Sequence, residues 1–568
     1  AGGSDGGRAE SKATAGGMSA AKGLDGGTSS VPQNSIAARG MEHDYAATAH
    51  AVQGESVDRV IVAMNSTERL ATQKSFYVEI SRARDEAVLY TDNRAALARN
   101  IAENTGIQTT ALATQIESQK PREEILDSVQ AVDRAVEHIS ERDSAYSRGH
   151  LTTTALQFAY GSSFDQVDKE INTRIKDGRL FESGDEGGML TDKASVELER
   201  SIIATWQASE KSGGLELQAS AGRSGESVIA KKLHDTKSMT DGQKEAIHTS
   251  LTGGGRYVGV QGYAGTGKTY MLERMAHYAE QNGYDVKGMA PSHQAVHELA
   301  SVLGSAETLA KITTAERHHP QDVDNSKTIL VVDEASMASA QDLRSFMDYA
   351  ERTGAPRVVL VGDTQQLDSV AAGQPYAQLQ NAGMRTAVMD EIRRQRNDDL
   401  KEAVHHSIRQ EIQPAFSRME GNVLQVENPS IDAAERYLLL SPGEREGTRI
   451  LTLTNDSRSQ INSVVRDGIW QEGRLKGEEV ALKGLQNRQL PETHLADARS
   501  YTPGDLVLSV ATSKEFGLQK TNLYVVQQSD HQRNRLIVQH EETGEKSILP
   551  LDAKFNRRDL GKALVAYD

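Results

Sequence analysis

The chain has 568 residues, no cysteine and a formal net charge of −16. That length calls for several separate cores, and the missing cysteines exclude disulfides, thiolate metal sites and a cysteine nucleophile. The acidic balance argues against a surface coated for duplex DNA, yet leaves room for a narrow basic channel that holds one strand.

Residues 1–43 carry Gly, Ser and Ala without apolar periodicity and read as a flexible linker. Order is expected to resume near Asp44. The runs Asp58–Met64 and Glu86–Thr91 read as strands, with a helix over Ser75–Ala83 between them. Residues 101–120 form a polar connector. Residues 121–235 read as a helical, winged-helix-like domain: Ile125, Val129, Val132, Val136 and Ile139 keep an apolar stripe, and a Gly/Ser-rich stretch closes it.

Residues 236–400 alternate strand and helix as in a doubly wound parallel sheet, with strands at Arg256–Gln261, Asp285–Ala290, Thr328–Asp333 and Arg357–Gly362. Residues 401–490 open a second α/β piece, whose first strand is Arg449–Thr454. Residues 491–568 hold short strands at Asp505–Ala511, Leu523–Gln528, Arg535–His540 and Ser547–Leu551, as expected for a small SH3-like β-barrel. No run approaches the length of a membrane span and the N-terminus lacks a signal-peptide core, so membrane insertion is not expected.

The most specific stretch is Gly262-Tyr263-Ala264-Gly265-Thr266-Gly267-Lys268-Thr269, a match to G-x-x-x-x-G-K-[ST] between a strand and a helix. Gly262, Gly265 and Gly267 let backbone N–H groups, with Thr266 among them, turn inward around a triphosphate. Lys268 brings a positive charge to it, and the Thr269 hydroxyl suits Mg²⁺. The apolar strand Ile329–Val332 runs into Asp333 and Glu334, about 65 residues past Lys268. Such a pair is expected to supply a metal ligand, Asp333, and a general base for water, Glu334. The bland alternative for each of these segments is a glycine turn or an acidic strand end. The α/β context makes both the weaker reading. His318/His319 and His405/His406 have no partners at metal-ligand spacing and are expected on the solvated surface.

Further segments carry a resemblance. Gly362-Asp363-Thr364-Gln365-Gln366-Leu367 resembles the GDxxQL segment of superfamily 1 helicases, and Met239–Gln243 resembles their adenine-reading segment, with Gln243 as reader. Pro291, Ser292 and His293 stand where that family grips single-stranded DNA. Glu391–Gln395 resembles the segment whose arginine touches the γ-phosphate, here Arg394. Tyr45–Gly54 resembles the strand-contacting segment YAxTxHxxQG, with Thr48 and His50 facing DNA. Phe76–Arg84 resembles the last motif, with Arg82 as arginine finger. Within the superfamily the similarity is nearest to the RecD-like helicase part of TraI/TrwC-type conjugative relaxases, from Asp44 onward.

The resemblance implies two RecA-like motor domains that bind ATP with Mg²⁺ and move 5′→3′ on single-stranded DNA in plasmid conjugation, in the bacterial cytoplasm. Relaxosome and type IV secretion components would be further partners. Its catalytic set would be Lys268, Glu334, Gln366, Arg394 and Arg82. The relaxase three-histidine cluster and tyrosine pair are absent from the sequence, so nicking is not expected.

The motif order is also unusual, because residues 44–100 carry the two motifs that end the family pattern. Circular permutation explains this best; joined parts of two helicase copies and simple mimicry are the other accounts. A helicase-like module that binds DNA or a secretion partner without turnover, and a P-loop phosphotransferase, stand as rival functions.

Overall fold

In a computed structural model the described residues are 12–14, 18–22, 28–32, 45–48, 56–105, 126–158, 163–183, 188–212, 215, 238–318, 320, 322–366, 372–474, 498–509, 516–519, 522–541, 543–551 and 564–567. His50, and with it the end of the Tyr45–Gly54 segment, lies outside them, as does the side chain of His293.

Two parallel sheets organise the chain. The first, six-stranded, runs in the order Ala306–Thr308, Asp285–Ala290, Thr328–Val332, Arg357–Gly362, Tyr257–Gly262, Thr386–Met389. Its middle strands are continuous apolar runs because helices cover both faces, which leaves no solvent side for polar alternation. The two edge strands, Ala306–Thr308 and Thr386–Met389, escape sequence reading: three and four residues are too few to show a period. The strand over Thr328–Val332 stops one residue short of expectation, since Asp333 turns away into the following loop.

The second sheet, five-stranded and parallel, joins distant parts of the sequence. Its order is Val423–Gln425, Ala83–Thr91, Val57–Ala63, Thr448–Thr452, Ala46–Thr48. Segments numbered before and after the phosphate loop therefore build one sheet. The Asn462 side chain accepts the N–H groups of Tyr45 and Ala46, tying the edge strand to the helix Asn455–Gln471.

The helix between the first two of these strands spans Gln73–Ser81 rather than Ser75–Ala83. Thr72 caps it: the Thr72 hydroxyl accepts from Ser75 N–H, and the Ser75 hydroxyl accepts from Thr72 N–H. This reciprocal pair fixes the start of the helix two residues earlier than the apolar pattern does. The chain enters the next strand at Ala83.

Helices Leu126–Ser140, Arg148–Phe158 and Phe164–Lys176 share a core with a three-stranded antiparallel sheet, Tyr146–Ser147, Met189–Asp192 and Leu180–Glu182. Towards the C-terminus five antiparallel strands, Lys546–Pro550, Arg535–His540, Leu523–Asp530, Leu506–Ser509 and Leu564–Tyr567, form a sheet around Val507, Tyr524, Leu536 and Leu549. Among the described residues no pairing joins its two outer strands, so what is observed is an open sheet rather than a closed barrel. In the stretch expected to be linker, Lys12–Thr14, Met18–Lys22 and Thr28–Pro32 pair antiparallel. Thr28 and Val31 suit a pleated strand better than their glycine-rich setting implies.

No helix among the described residues is long and apolar enough to cross a membrane, and none of their His and acidic side chains gather in threes at metal-binding distance. His405 and His406 are half-buried rather than solvated: burial draws the His405 imidazole down, and His406 Nδ1 meets Glu411 at 2.6 Å.

Within the helix Gln73–Ser81, Glu79 is fully buried, and neither carboxyl oxygen finds a hydrogen-bond partner among the described residues. Burial, with Glu68 nearby, pushes its carboxyl well above the usual range. Below the ordinary glutamate range Glu79 is neutral folded or unfolded and costs nothing extra. As pH rises only the unfolded chain releases the proton, so stability falls until the folded pKa is passed. Thermal melts of Glu79→Gln against wild type are expected to show no gain near pH 4 and a gain that grows towards pH 8.

Candidate functional site

The phosphate loop joins Tyr257–Gly262 to the helix Lys268–Glu280. Gly265 and Gly267 have φ of +83° and +81°, a left-handed backbone open to glycine at little cost. Space decides as well as angle. A Cβ on Gly267 would stand 2.6 Å from Gln243 Nε2, and one on Gly265 2.5 Å from Arg394 Cβ. Gln243 and Arg394 thus both pack closely on the loop. Gln243, in the first turn of Asp241–Leu251, donates from Nε2 to Thr266 O at 3.0 Å. Arg393 N–H donates to Gly265 O at 2.9 Å, which sets Arg394 against the loop. Lys268 Nζ donates to Gly262 O at 2.9 Å, and Thr269 is exposed at the helix start.

Two acidic groups, Asp333 and Glu334, follow the strand Thr328–Val332. Asp333 accepts from Glu334 N–H at 2.9 Å, and its own N–H goes to Met289 O. Burial, then the charge of Glu334, pushes the Asp333 carboxyl up to about 7 against the pull of Lys268. Glu334 holds φ at +51°, unusual for a residue with a side chain, and its Oε2 is buried without a hydrogen-bond partner among the described residues. Burial and the Glu334 charge make an ionised Asp333 costly, which a divalent cation beside it would relieve; a carboxylate and a hydroxyl, as on Asp333 and Thr269, are donor types that Mg²⁺ takes.

Asp363, after the strand Arg357–Gly362, is the buried centre of the site. Its Oδ1 accepts from Gln261 Nε2 at 3.1 Å and Gln365 N–H at 3.0 Å. Its Oδ2 accepts from Gln366 Nε2 at 3.1 Å and the Tyr77 hydroxyl at 2.7 Å. Burial raises its pKa; Lys268 and these donors pull the other way.

Tyr77 belongs to the second sheet's helix, so this bond crosses between the two α/β units. The same Tyr77 oxygen accepts from Ala264 N–H, inside the phosphate loop, at 2.8 Å. At the end of that helix Arg82 Nη2 lies 3.4 Å from Gln366 Oε1, while Arg394 Nη1 donates to Ser81 O at 3.3 Å. Gln395 Nε2 bonds both Ser81 O and Ala83 O. Burial and repulsion from Arg82 lower the Arg394 guanidinium to about 10, which leaves it charged at neutral pH.

The structure therefore gathers Lys268, Gln243, Asp333, Glu334, Gln366, Arg394 and Arg82 on and around the phosphate loop. Of the pair Arg393/Arg394, the first is exposed and the second turns inward. Of the residues assigned to a DNA strand, the described Pro291, Ser292 and Thr48 each stand at a strand end. Pro291 and Ser292 follow Asp285–Ala290, where the Ser292 hydroxyl caps the next helix by accepting from Ala295 N–H. Thr48 ends the edge strand of the second sheet, opposite Thr452. Sequence reading missed Tyr77 and Gln261. A polar group at the end of an all-buried strand was the available signal for Gln261; Tyr77 offered none beyond its place before Arg82.

Comparison with known proteins gives the following. Residues 238–426 match the family model described as an AAA domain. The multifunctional conjugation protein TraI of Escherichia coli K12 is 28% identical over 443 residues, 68% of this chain and 24% of that protein. The conjugal transfer protein TraA of Rhizobium radiobacter is 27% identical over 50% of this chain and 25% of its own length. The ATP-dependent RecD2 DNA helicase of Deinococcus radiodurans is 32% identical over 33% of this chain and 26% of its own. The chain thus spans about a quarter of the length of these relatives. Among solved structures, Bacteroides Pif1 bound to single-stranded DNA matches at 17% identity over 55% of this chain and 73% of that one, with a TM-score of 0.25, too low to bear on the fold.

The packing of Gly265 on Arg394 gives a direct test. Gly265→Ala places a Cβ both at a left-handed φ and against Arg394, and should cost about 1–2 kcal/mol of stability in a urea titration from the backbone alone. Nucleotide affinity, followed with a fluorescent ATP analogue, should fall with it.

Proposed function

We propose that this chain, a relative of the RecD-like superfamily 1 helicase portion of TraI-type conjugation proteins, hydrolyses ATP in the cleft between its two parallel-sheet units and uses the cycle to move 5′→3′ along single-stranded DNA during plasmid transfer. The observation that carries the reading is the approach of Arg82, from the second unit, to Gln366 in the first, beside the phosphate loop. A cation delivered across a cleft makes turnover depend on the relative position of the two units, which is what a motor requires.

In this reading the loop amides and Lys268 hold the triphosphate and Gln243 contacts the base. Thr269 and Asp333 would hold Mg²⁺, which supplies charge neutralisation at the phosphates. Glu334 accepts the proton of the attacking water, with its carboxylate unencumbered by other hydrogen bonds at Oε2. Gln366 orients that water; Arg82 and Arg394 stabilise charge as it develops. Opening and closing of the cleft then shifts a strand held by Pro291, Ser292, His293, Thr48 and His50. We read the motif order as circular permutation, supported by the single sheet that residues 46–91 form with residues 423–452. Relaxosome and type IV secretion components are the partners this role implies.

Lys268→Ala should abolish ATPase activity. Arg82→Ala should leave ATP affinity within a few-fold of wild type while kcat falls by about 10³ or more, as for other arginine fingers. Both are read from phosphate release with and without single-stranded DNA. A negligible rate that DNA does not raise would instead favour a binding module without turnover.

A further inference from the structure

The helix Gln73–Ser81 carries more than the residue just after its end. Tyr77 is almost fully buried; its ring packs in the core of the second unit, and its hydroxyl leaves that core to reach the first. That one oxygen accepts from the Ala264 N–H of the phosphate loop at 2.8 Å, and its O–H donates to Asp363 Oδ2 at 2.7 Å. Asp363 Oδ2 also takes Gln366 Nε2, and Gln366 Oε1 faces Arg82. The bonds form a ring of Tyr77, Asp363, Gln366 and Arg82, closed along five residues of backbone from Arg82 to Tyr77, and the loop amide of Ala264 joins it at Tyr77.

We infer that Tyr77 is the positioning residue that seats Arg82, its hydroxyl fastening the helix to the phosphate loop and to Asp363 so that the finger stands at a set distance from the triphosphate. The inference rests on the proposed ATPase reading for its consequence but not for its geometry. Tyr77 touches neither water nor phosphate in this scheme and acts through Arg82. Ala264 N–H is also one of the loop's own donors. A change in the loop as it closes on phosphate is therefore felt first at Tyr77, and passes along the helix to the finger. Gln261 supports the same arrangement from beneath: Nε2 holds Asp363, while Oε1 accepts from Thr364 N–H and Gln380 Nε2.

Tyr77→Phe keeps the buried ring and removes only the hydroxyl. Because small misplacements of a catalytic group cost on the order of tenfold to a hundredfold, kcat for ATP should fall by that factor while KM stays within about threefold. In an Arg82→Ala background the same substitution should cost almost nothing further, since the finger it positions is gone. A second readout needs no turnover. The chain has no cysteine, so single cysteines at exposed Glu280 and Asp399, one in each unit, accept spin labels cleanly. The label-to-label distance should be narrowly distributed in the otherwise unaltered chain and broader in Tyr77→Phe.

Equal widths in the two proteins, or an equal fold-loss of kcat with and without Arg82, would overturn the inference. If the wild-type chain showed no ATPase at all, the proposed function would fail, and the label widths would still decide whether Tyr77 fastens the two units.

Discussion

A single buried carboxylate, Asp363, sets the terms for the rest of the molecule. A carboxylate without water must be met by hydrogen bonds on both oxygens, or it gives up its charge. Here each oxygen accepts two, and one of the four donors, the Tyr77 hydroxyl, comes from the other α/β unit. Satisfying Asp363 and bringing the units together are therefore the same event. The acids nearer the phosphate loop follow a different rule. Asp333 and Glu334 stand side by side in a buried setting that raises the cost of ionising Asp333, and Glu334 Oε2 is left without a hydrogen bond among the described residues, an arrangement suited to a bound cation.

The two sheets give this network its rigidity. Groups of the first unit stand at the C-terminal edge of its strands, where open parallel sheets present ligand sites. The second unit offers instead the entry to one of its strands: Arg82 comes just before the strand Ala83–Thr91, and Ala83 begins it. Backbone carbonyls there are used in place of side chains, as Arg394 and Gln395 bond Ser81 O and Ala83 O. Substitution cannot remove these carbonyls, so this part of the contact tolerates sequence change that Tyr77 and Arg82 would not.

Much of the first unit was legible in the sequence because its chemistry is local. Gly262 to Thr269 and Asp333 with Glu334 announce themselves by composition within a few residues, between apolar runs that can only be buried strands. The second unit was legible differently: Val57–Ala63 and Ala83–Thr91 read as strands, but only a family likeness attached a role to Arg82. Tyr77 shows why the rest stayed hidden. Its partners lie 187 and 286 residues away, and no propensity or period in its own neighbourhood reports them. Short edge strands such as Thr386–Met389 were lost for the opposite reason, too little sequence to carry a pattern. Helix boundaries slipped where hydroxyl capping at Thr72 overrode the apolar stripe.

The strand pairing of the second sheet has a consequence for biosynthesis. Tyr45 and Ala46 depend on Asn462, which is made 417 and 416 residues later. At a ribosomal pace of about 5–20 residues per second, Ala46–Thr48 and the outer edge of Val57–Ala63 wait roughly 20 to 80 s for Thr448–Thr452 and Asn462. During that interval Val57–Ala63 keeps an unpaired backbone edge in the crowded surroundings of the nascent chain, a template for mispairing. Cells making this protein face a timing problem that the finished molecule no longer displays, and chaperone demand during translation should follow from it.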